Sequence, residues 1–241
     1  MQIFAKTDIG RVRNINQDAF YINTLPSGLV FAVVCDGMGG ASAGDIASKT
    51  AVEIISQYVL NGYNPSMTSE DIARLIDNAI TSANIEVFAL SRKDERLSGM
   101  GTTVVAAIAC DSYAVICNVG DSRAYLLNNT LKQITRDHSV VQSLVESGEL
   151  SPEEARVHPE KNVITRALGV EENILIDNYC INIEKNDKLL LCTDGLSNFV
   201  TPEGILCIVN NNALDNVTDL LIKQANQNGG MDNITAAVIS H

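Results

Sequence analysis

Tryptophan is absent from the sequence, and aromatic residues of all kinds amount to 5%. A chain so poor in rings must build its core from aliphatic side chains. Cations are also scarce. Against 29 acidic residues stand 17 lysines and arginines, a net charge of −12. Such a balance argues against nucleic acid or an anionic membrane as the main partner, because both are bound through basic surfaces. The three histidines and six cysteines form no C-x-x-C pair or other spacing typical of a zinc site. Most of the cysteines (35, 110, 117, 180, 192, 207) fall inside apolar runs, so reduced core thiols of a cytoplasmic protein are expected rather than disulfides. No apolar run approaches the ~18 residues of a membrane helix. The N-terminus has neither the basic start nor the apolar stretch of a signal peptide. No Pro/Ser-rich or charged linker divides the 241 residues, so one domain spanning 1–241 is expected.

What the sequence does have is a repeated grammar. Residues 29–35 (Leu-Val-Phe-Ala-Val-Val-Cys) form a short continuous apolar run, the signature of a strand buried on both faces. It stops at Asp36, and Gly37, Gly39 and Gly40 follow. Glycines let backbone approach a ligand closely. The pattern recurs at 113–119 before Asp121 and at 188–193 before Asp194. It is inverted at the end, where Gly229-Gly230-Met231-Asp232 precedes the run 234–239. Asp18 opens a further run, 19–22. Any one of these aspartates alone would read as a turn or cap residue. Together they suggest carboxylates delivered to one place by strand ends.

Converging carboxylates repel. At ~4 Å each like-charged pair costs on the order of 1 kcal/mol in water and ~4 at an effective dielectric near 20. Domain stability is only ~5–15 kcal/mol. Bound divalent cations relieve the repulsion, and an all-oxygen set suits Mg²⁺ or Mn²⁺ better than zinc.

Along the chain, strands are expected at 2–8 and 19–24, with a hairpin turn at Pro26-Ser27-Gly28. Helical periodicity covers 43–60, and again 68–92 behind the capping-box-like Thr68-Ser-Glu-Asp71. Strands at 103–110, 113–119, 123–128 and 131–135 read as a run of hairpins. Residues 136–170 are polar and irregular, with a short helix starting at Ser151-Pro152. Strands at 174–183 and 188–193, helices from Thr201-Pro202 and over 214–227, and a last strand complete an α+β pattern.

Six motifs now stand in order: Arg13-x-x-x-Gln-Asp18, Asp36-Gly-Met-Gly-Gly40, Gly99-Met-Gly-Thr-Thr103, Gly120-Asp-Ser-Arg123, Thr193-Asp-Gly-Leu196 and Asp232-Asn-Ile-Thr235. The series resembles that of the metal-dependent serine/threonine protein phosphatases of type 2C, most of all the compact bacterial members, and spans essentially the whole chain. The resemblance implies a four-layer α-β-β-α sandwich with two central antiparallel sheets. It implies a dinuclear Mg²⁺ or Mn²⁺ centre between them, with a third, weaker ion. Carried onto this sequence, Asp36 would bridge two ions, the Gly37 carbonyl would ligate one, and Asp194 and Asp232 the other. Asp18 would act through water, Asp121 would hold the third ion, and Arg13, which fits the motif where Arg11 does not, would grip the substrate phosphate. Residues 139–165 match the family's flap. The implied reaction is hydrolysis of phosphoserine and phosphothreonine by a hydroxide bridging the two ions. The implied partners are phosphorylated proteins, among them substrates of a Hanks-type kinase and that kinase itself, met by a monomer in the cytoplasm.

One position departs from many eukaryotic members, which carry a histidine after Asp-Gly as general acid. Met38 stands there and cannot donate a proton. A metal-bound water is the expected donor. His138, His158 and His241 are expected on the surface or in the flap, dispensable for turnover. Two other readings need weighing: a different metal hydrolase, such as a nuclease, and a catalytically dead binding module of the same fold. The charge of −12 disfavours the first, and retention of Asp36, Asp194 and Asp232 disfavours the second.

Overall fold

The computed structural model describes residues 1–40 and 43–240; His241 lies outside them. Two antiparallel sheets face each other. In the first, β1 (Gln2–Asp8), β11 (Ile234–Ser240), β10 (Lys188–Cys192), β7 (Arg123–Leu127) and β8 (Leu131–Gln133) lie in that order. In the second the order is β2 (Asp18–Thr24), β3 (Val30–Met38), β5 (Val104–Ala109), β6 (Tyr113–Val119) and β9 (Asp177–Asn182), with the two-residue β4 (Gly101–Thr102) paired to the end of β3. Helices α1 (Ala43–Gly62) and α2 (Ser69–Lys93) cover the second sheet; α6 (Pro202–Asn211) and α7 (Leu214–Gln227) cover the first. The expected α-β-β-α layering is therefore observed.

Period-two alternation explains why β3 is apolar on both faces up to Cys35. Phe31, Val33 and Cys35 pack against α1 and α2, while Val30, Ala32 and Val34 face the other sheet. The last strand does the same with Ala236 and Val238 on one side and Ala237 and Ile239 on the other. Alanines (32, 107, 109, 114, 124, 237) recur between the sheets, letting them approach with little side-chain bulk. On α1, Ala47, Ala51, Ile55 and Val59 repeat every fourth residue and are fully buried. α2 begins as its sequence predicts: Thr68 Oγ1 accepts from the Asp71 N–H, and Asp71 accepts from the Thr68 N–H.

Four expectations need correction. β6 and β7 are not a hairpin; Gly120-Asp121-Ser122 carries the chain from one sheet to the other. Gly120 has φ +103° there, and a Cβ would lie 2.6 Å from Thr103 Cγ2. β8 stops at Gln133 because Thr135 Oγ1, not a backbone carbonyl, accepts from the Ala124 N–H. β9 starts only at Asp177, since Ile174 and Ile176 turn their side chains into the α1/α2 core instead of joining the ladder. The thiols are free, but only Cys35, Cys117 and Cys192 are buried; Cys180 and Cys207 are exposed.

Residues 136–176 form the irregular segment, with two short helices, α3 (Val140–Glu146) and α4 (Pro152–Val157). A single bridge at Ser139–Ile164 closes the segment on itself, and one at Thr102–Leu168 ties it back to β4. Among the described residues no helix is long and apolar enough to cross a membrane.

Candidate metal centre

The strand pairing brings two carboxylates face to face. Asp18, first residue of β2, is the register partner of Asp36 in β3. Asp36 is not at the strand's end, because Gly37 and Met38 continue the ladder against β4. Its backbone is clamped by the Gly99–Thr103 motif. The Asp36 N–H donates to Thr103 Oγ1 (3.0 Å), and its carbonyl accepts from Thr102 Oγ1 and the Thr103 N–H (2.9 Å each). Asp18 is 4% exposed and reaches across to the first sheet. The Thr193 and Thr235 hydroxyls donate to its Oδ2 at 3.0 and 2.7 Å. Its Oδ1 is buried with no hydrogen-bond partner.

Three turns supply the remaining carboxylates. Asp194 is the first residue of a one-turn helix, α5 (Asp194–Ser197), directly after β10. Its Oδ2 accepts from Asn198 Nδ2 (3.0 Å), and its Oδ1 is also a buried oxygen without a partner. Asp232 stands in the turn before β11 and pairs with the Arg13 guanidinium at 3.0 Å. The next residue, Asn233, ties that turn to the Arg13 loop. Its Oδ1 accepts from the Gln17 N–H (2.8 Å), and its Nδ2 donates to the Ile9 and Ile15 carbonyls (2.9 and 3.0 Å). Asp121 lies in the crossing turn between the sheets. That turn is held by His138, whose Nδ1 accepts from the Gly120 N–H (3.0 Å) while its own N–H donates to the Gly120 carbonyl.

Close approach also dictates glycine at two motif positions. A Cβ on Gly37 would lie 2.0 Å from the Gly44 carbonyl oxygen, and one on Gly195 would lie 1.9 Å from that of Asn233.

A cleft of about 230 Å³ gathers Arg13, Asp36, Gly37, Asp121, Asp194 and Asp232. Asp18 does not line it and stands behind Asp36. Arg11 faces a different groove, with Lys6 and Asp219. Met38 and Ile164 form the cleft's apolar side, with Asn162 beside them. Among the described residues no histidine lines it. His138 is buried, contrary to the expected surface position; its Nε2 faces the Asp177 carboxylate at 3.1 Å. His158 ends α4 and accepts from the Glu160 N–H.

The carboxylates cannot all be charged here without help. Burial, then repulsion from Asp194 and Asp232, pushes Asp18 up to about 7 against the opposing pull of the two threonine hydroxyls. Burial and Asp232 push Asp194 up to about 6. Asp36, buried and facing Asp18, Asp194, Asp121 and Asp232, is raised well above the ordinary carboxylate range; burial and Asp194 do the same to Asp121. Among the described residues no three His, Cys, Asp or Glu side chains are already gathered round a single point, and the Arg13 pair occupies one face of Asp232. The unpartnered oxygens of Asp18 and Asp194 nevertheless fit a divalent cation, which supplies the missing charge and takes oxygen ligands. Thr193, Thr235, Asn233 and Ser122, which bonds Thr103 Oγ1 at 2.7 Å, hold this arrangement together. The sequence assigned them no part, although each lies within or beside a recognised motif.

Residues 11–237 match the family model described as protein phosphatase 2C. The chain is 41% identical over 236 residues to the serine/threonine phosphatase stp of Listeria welshimeri, covering 97% of this chain and 93% of that protein. The crystal structure of serine/threonine phosphatase Stp1 from Staphylococcus aureus superposes with a TM-score of 0.93 at 32% identity, covering 100% of this chain and 94% of that one. The catalytic domain of the serine/threonine protein phosphatase PstP, solved in complex with two manganese ions, superposes with a TM-score of 0.85 at 32% identity, covering 98% and 96%. Fold, motif order and sequence agreement over nearly all of both chains place this protein in the metal-dependent protein phosphatase 2C family of serine/threonine phosphatases.

Proposed function

We propose that the cleft binds two divalent cations, with a third held more weakly, and that it hydrolyses phosphoserine and phosphothreonine in phosphorylated proteins. The observation that carries this reading is the pair of buried, unpartnered carboxylate oxygens on Asp18 and Asp194 among four aspartates raised by burial and mutual repulsion. Asp36, central in the cluster, would serve two of the sites, with the Gly37 carbonyl at one, Asp194 and Asp232 at the other, and Asp121 at the third. Asp18, already held by two hydroxyls, orients water. When bound, the cations would acidify water and offset charge on the phosphate. Arg13 leaves Asp232 to that centre and turns its guanidinium to the phosphate, gripping two oxygens in parallel. Met38 closes the apolar side of the cleft without taking part in proton transfer.

Manganese or magnesium serves, as the manganese complex of PstP suggests. The chain acts as one domain, 1–241, with residues 139–165 as a flap beside the cleft. A monomer in the cytoplasm opposing a Hanks-type kinase is the reading the family resemblance supports; no membrane-spanning helix is found among the described residues. The direct test is phosphate release from a phosphothreonine peptide. Release that requires Mn²⁺ or Mg²⁺ and stops with EDTA is expected. Metal-independent release, or none from folded, metal-loaded protein, would refute the reading.

A further inference from the structure

The cleft does not end at Met38. A second depression of about 290 Å³ opens beside it, and Met38 and Ile164 line both. Val170, Ile174 and Leu175 complete its apolar wall, and Arg166 and Glu171 add one charge of each sign. A third depression follows, against Ile85 and Phe88 of α2, and shares Ile174 with the second. Three hollows thus run in a row from the carboxylates to the outer face of α2. Leu175 is 71% exposed, Ile85 57% and Val170 50%. Contiguous exposed apolar side chains of this kind mark binding surfaces.

The wall is built, not loose. Asn84 on α2 is 1% exposed and spends its amide on this segment. Its Nδ2 donates to the Glu171 and Glu172 carbonyls (3.0 Å each), and its Oδ1 accepts from the Gly169 N–H (2.8 Å). Leu168 exchanges two backbone hydrogen bonds with Thr102. Gly169 has φ +85°, and a Cβ there would lie 2.4 Å from Val87 Cγ1. Met38 and Val170 meet over Gly101, where a Cβ would lie 2.7 Å from Met38 Cε and 3.1 Å from Val170 Cγ2. None of these apolar groups has a part in hydrolysis, yet a buried asparagine fixes their backbone beside it.

We infer that this groove receives the polypeptide carrying the phosphate, and that an apolar side chain within two residues of the phosphorylated one seats between Met38, Ile164, Val170, Ile174 and Leu175. The inference rests on the phosphatase reading above. Its occupant follows from continuity. The two hollows share a wall, and a peptide places neighbouring Cα atoms ~3.8 Å apart and alternate side chains ~7 Å apart on one face. The substrates are therefore phosphothreonine or phosphoserine segments with an aliphatic neighbour.

The test is kcat/KM on phosphothreonine peptides carrying Leu or Ala at each of the two positions on either side. At one position Leu is expected to exceed Ala by about tenfold, the worth of a partly enclosed aliphatic group. In the double variant Val170→Asp, Leu175→Asp, both at exposed positions, the Leu preference is expected to fall to within about twofold. Turnover of p-nitrophenyl phosphate, which has no side chain to seat there, keeps its rate. No preference at any position in the wild type, or a preference that survives the double variant, would overturn the inference. So would a parallel loss of p-nitrophenyl phosphate turnover, since the effect would then lie in the cleft. Absence of metal-dependent turnover of every substrate by the wild type would instead refute the phosphatase reading itself, and the groove with it.

Discussion

Arg13 and Asp232 meet at 3.0 Å, and half of the arginine side chain stays in solvent. An ion pair so exposed contributes little to stability, which leaves the guanidinium free to exchange a carboxylate for a phosphate. Arg13→Ala is therefore expected to leave the melting temperature nearly unchanged. It should raise KM for a phosphothreonine peptide about ten- to hundredfold, the worth of a lost charge-assisted bidentate contact. Arg13→Lys should recover only part, because an ammonium offers a point charge and not a fork. An unchanged KM in Arg13→Ala would remove Arg13 from the site. At this scale the sequence revealed the charged residues and hid their partners. An aspartate closing an apolar run declares itself. The Thr235 hydroxyl that donates to Asp18 lies 217 residues away in the chain, and only the facing of the two sheets makes it a partner. Asn233 lies within a motif, yet its bonds to the Ile9 and Ile15 carbonyls depend on loop geometry that no spacing rule describes.

Among elements, the informative one is the three-residue crossing at Gly120-Asp121-Ser122. Read as a hairpin turn, it would have kept β6 and β7 in one sheet. It instead joins the two sheets, and this puts Asp121 between them. The sequence could not separate these cases, since a glycine-containing turn between two apolar runs serves either. His138 holds the crossing from inside, through both backbone groups of Gly120, and also faces Asp177 on β9. Burial lowers its pKa and the neighbouring Arg166 adds to this, with Asp177 opposing. His138→Ala leaves the Gly120 N–H buried without an acceptor, a cost of about 1–3 kcal/mol, or roughly 3–10 °C in melting temperature for a chain of this size. Turnover of the folded variant with saturating Mn²⁺ should stay within about tenfold of wild type, because His138 does not line the cleft. A thousandfold loss of turnover in a folded variant would make His138 part of the chemistry.

For the whole molecule, layering was the most legible feature. Period-two strands apolar on both faces require cover on both sides, and long amphipathic helices can provide it on the outside only. The cost of assembling carboxylates between two such sheets is also a property of the whole molecule, and it sets the pH response of the metal-free protein. Asp18 and Asp194 are raised from 3.8 to about 7 and about 6, so the folded state holds protons that the unfolded chain gives up. Their contribution is fully present below about pH 3.8 and is lost as pH rises through 6 and 7. His138, lowered by burial, acts in the opposite sense below its ordinary 6.5. Without metal, the melting temperature should therefore fall by roughly 5 °C between about pH 5.5 and pH 8. The fall should shrink in Asp18→Asn and on adding Mn²⁺. A melting temperature that rises over this interval, equally in both proteins, would show that the carboxylates are not buried as described.

The central claim is that the clustered aspartates hold the ions on which hydrolysis depends, and ion binding and turnover measured on the same samples test it most directly. Titration of wild-type protein with Mn²⁺ should show at least two bound ions together with phosphate release from a phosphothreonine peptide. Asp194→Ala should bind fewer ions and lose about a thousandfold or more in turnover while keeping its fold. Equal ion binding and equal turnover in Asp194→Ala would contradict the account, for they would put the metal centre somewhere other than between these two sheets.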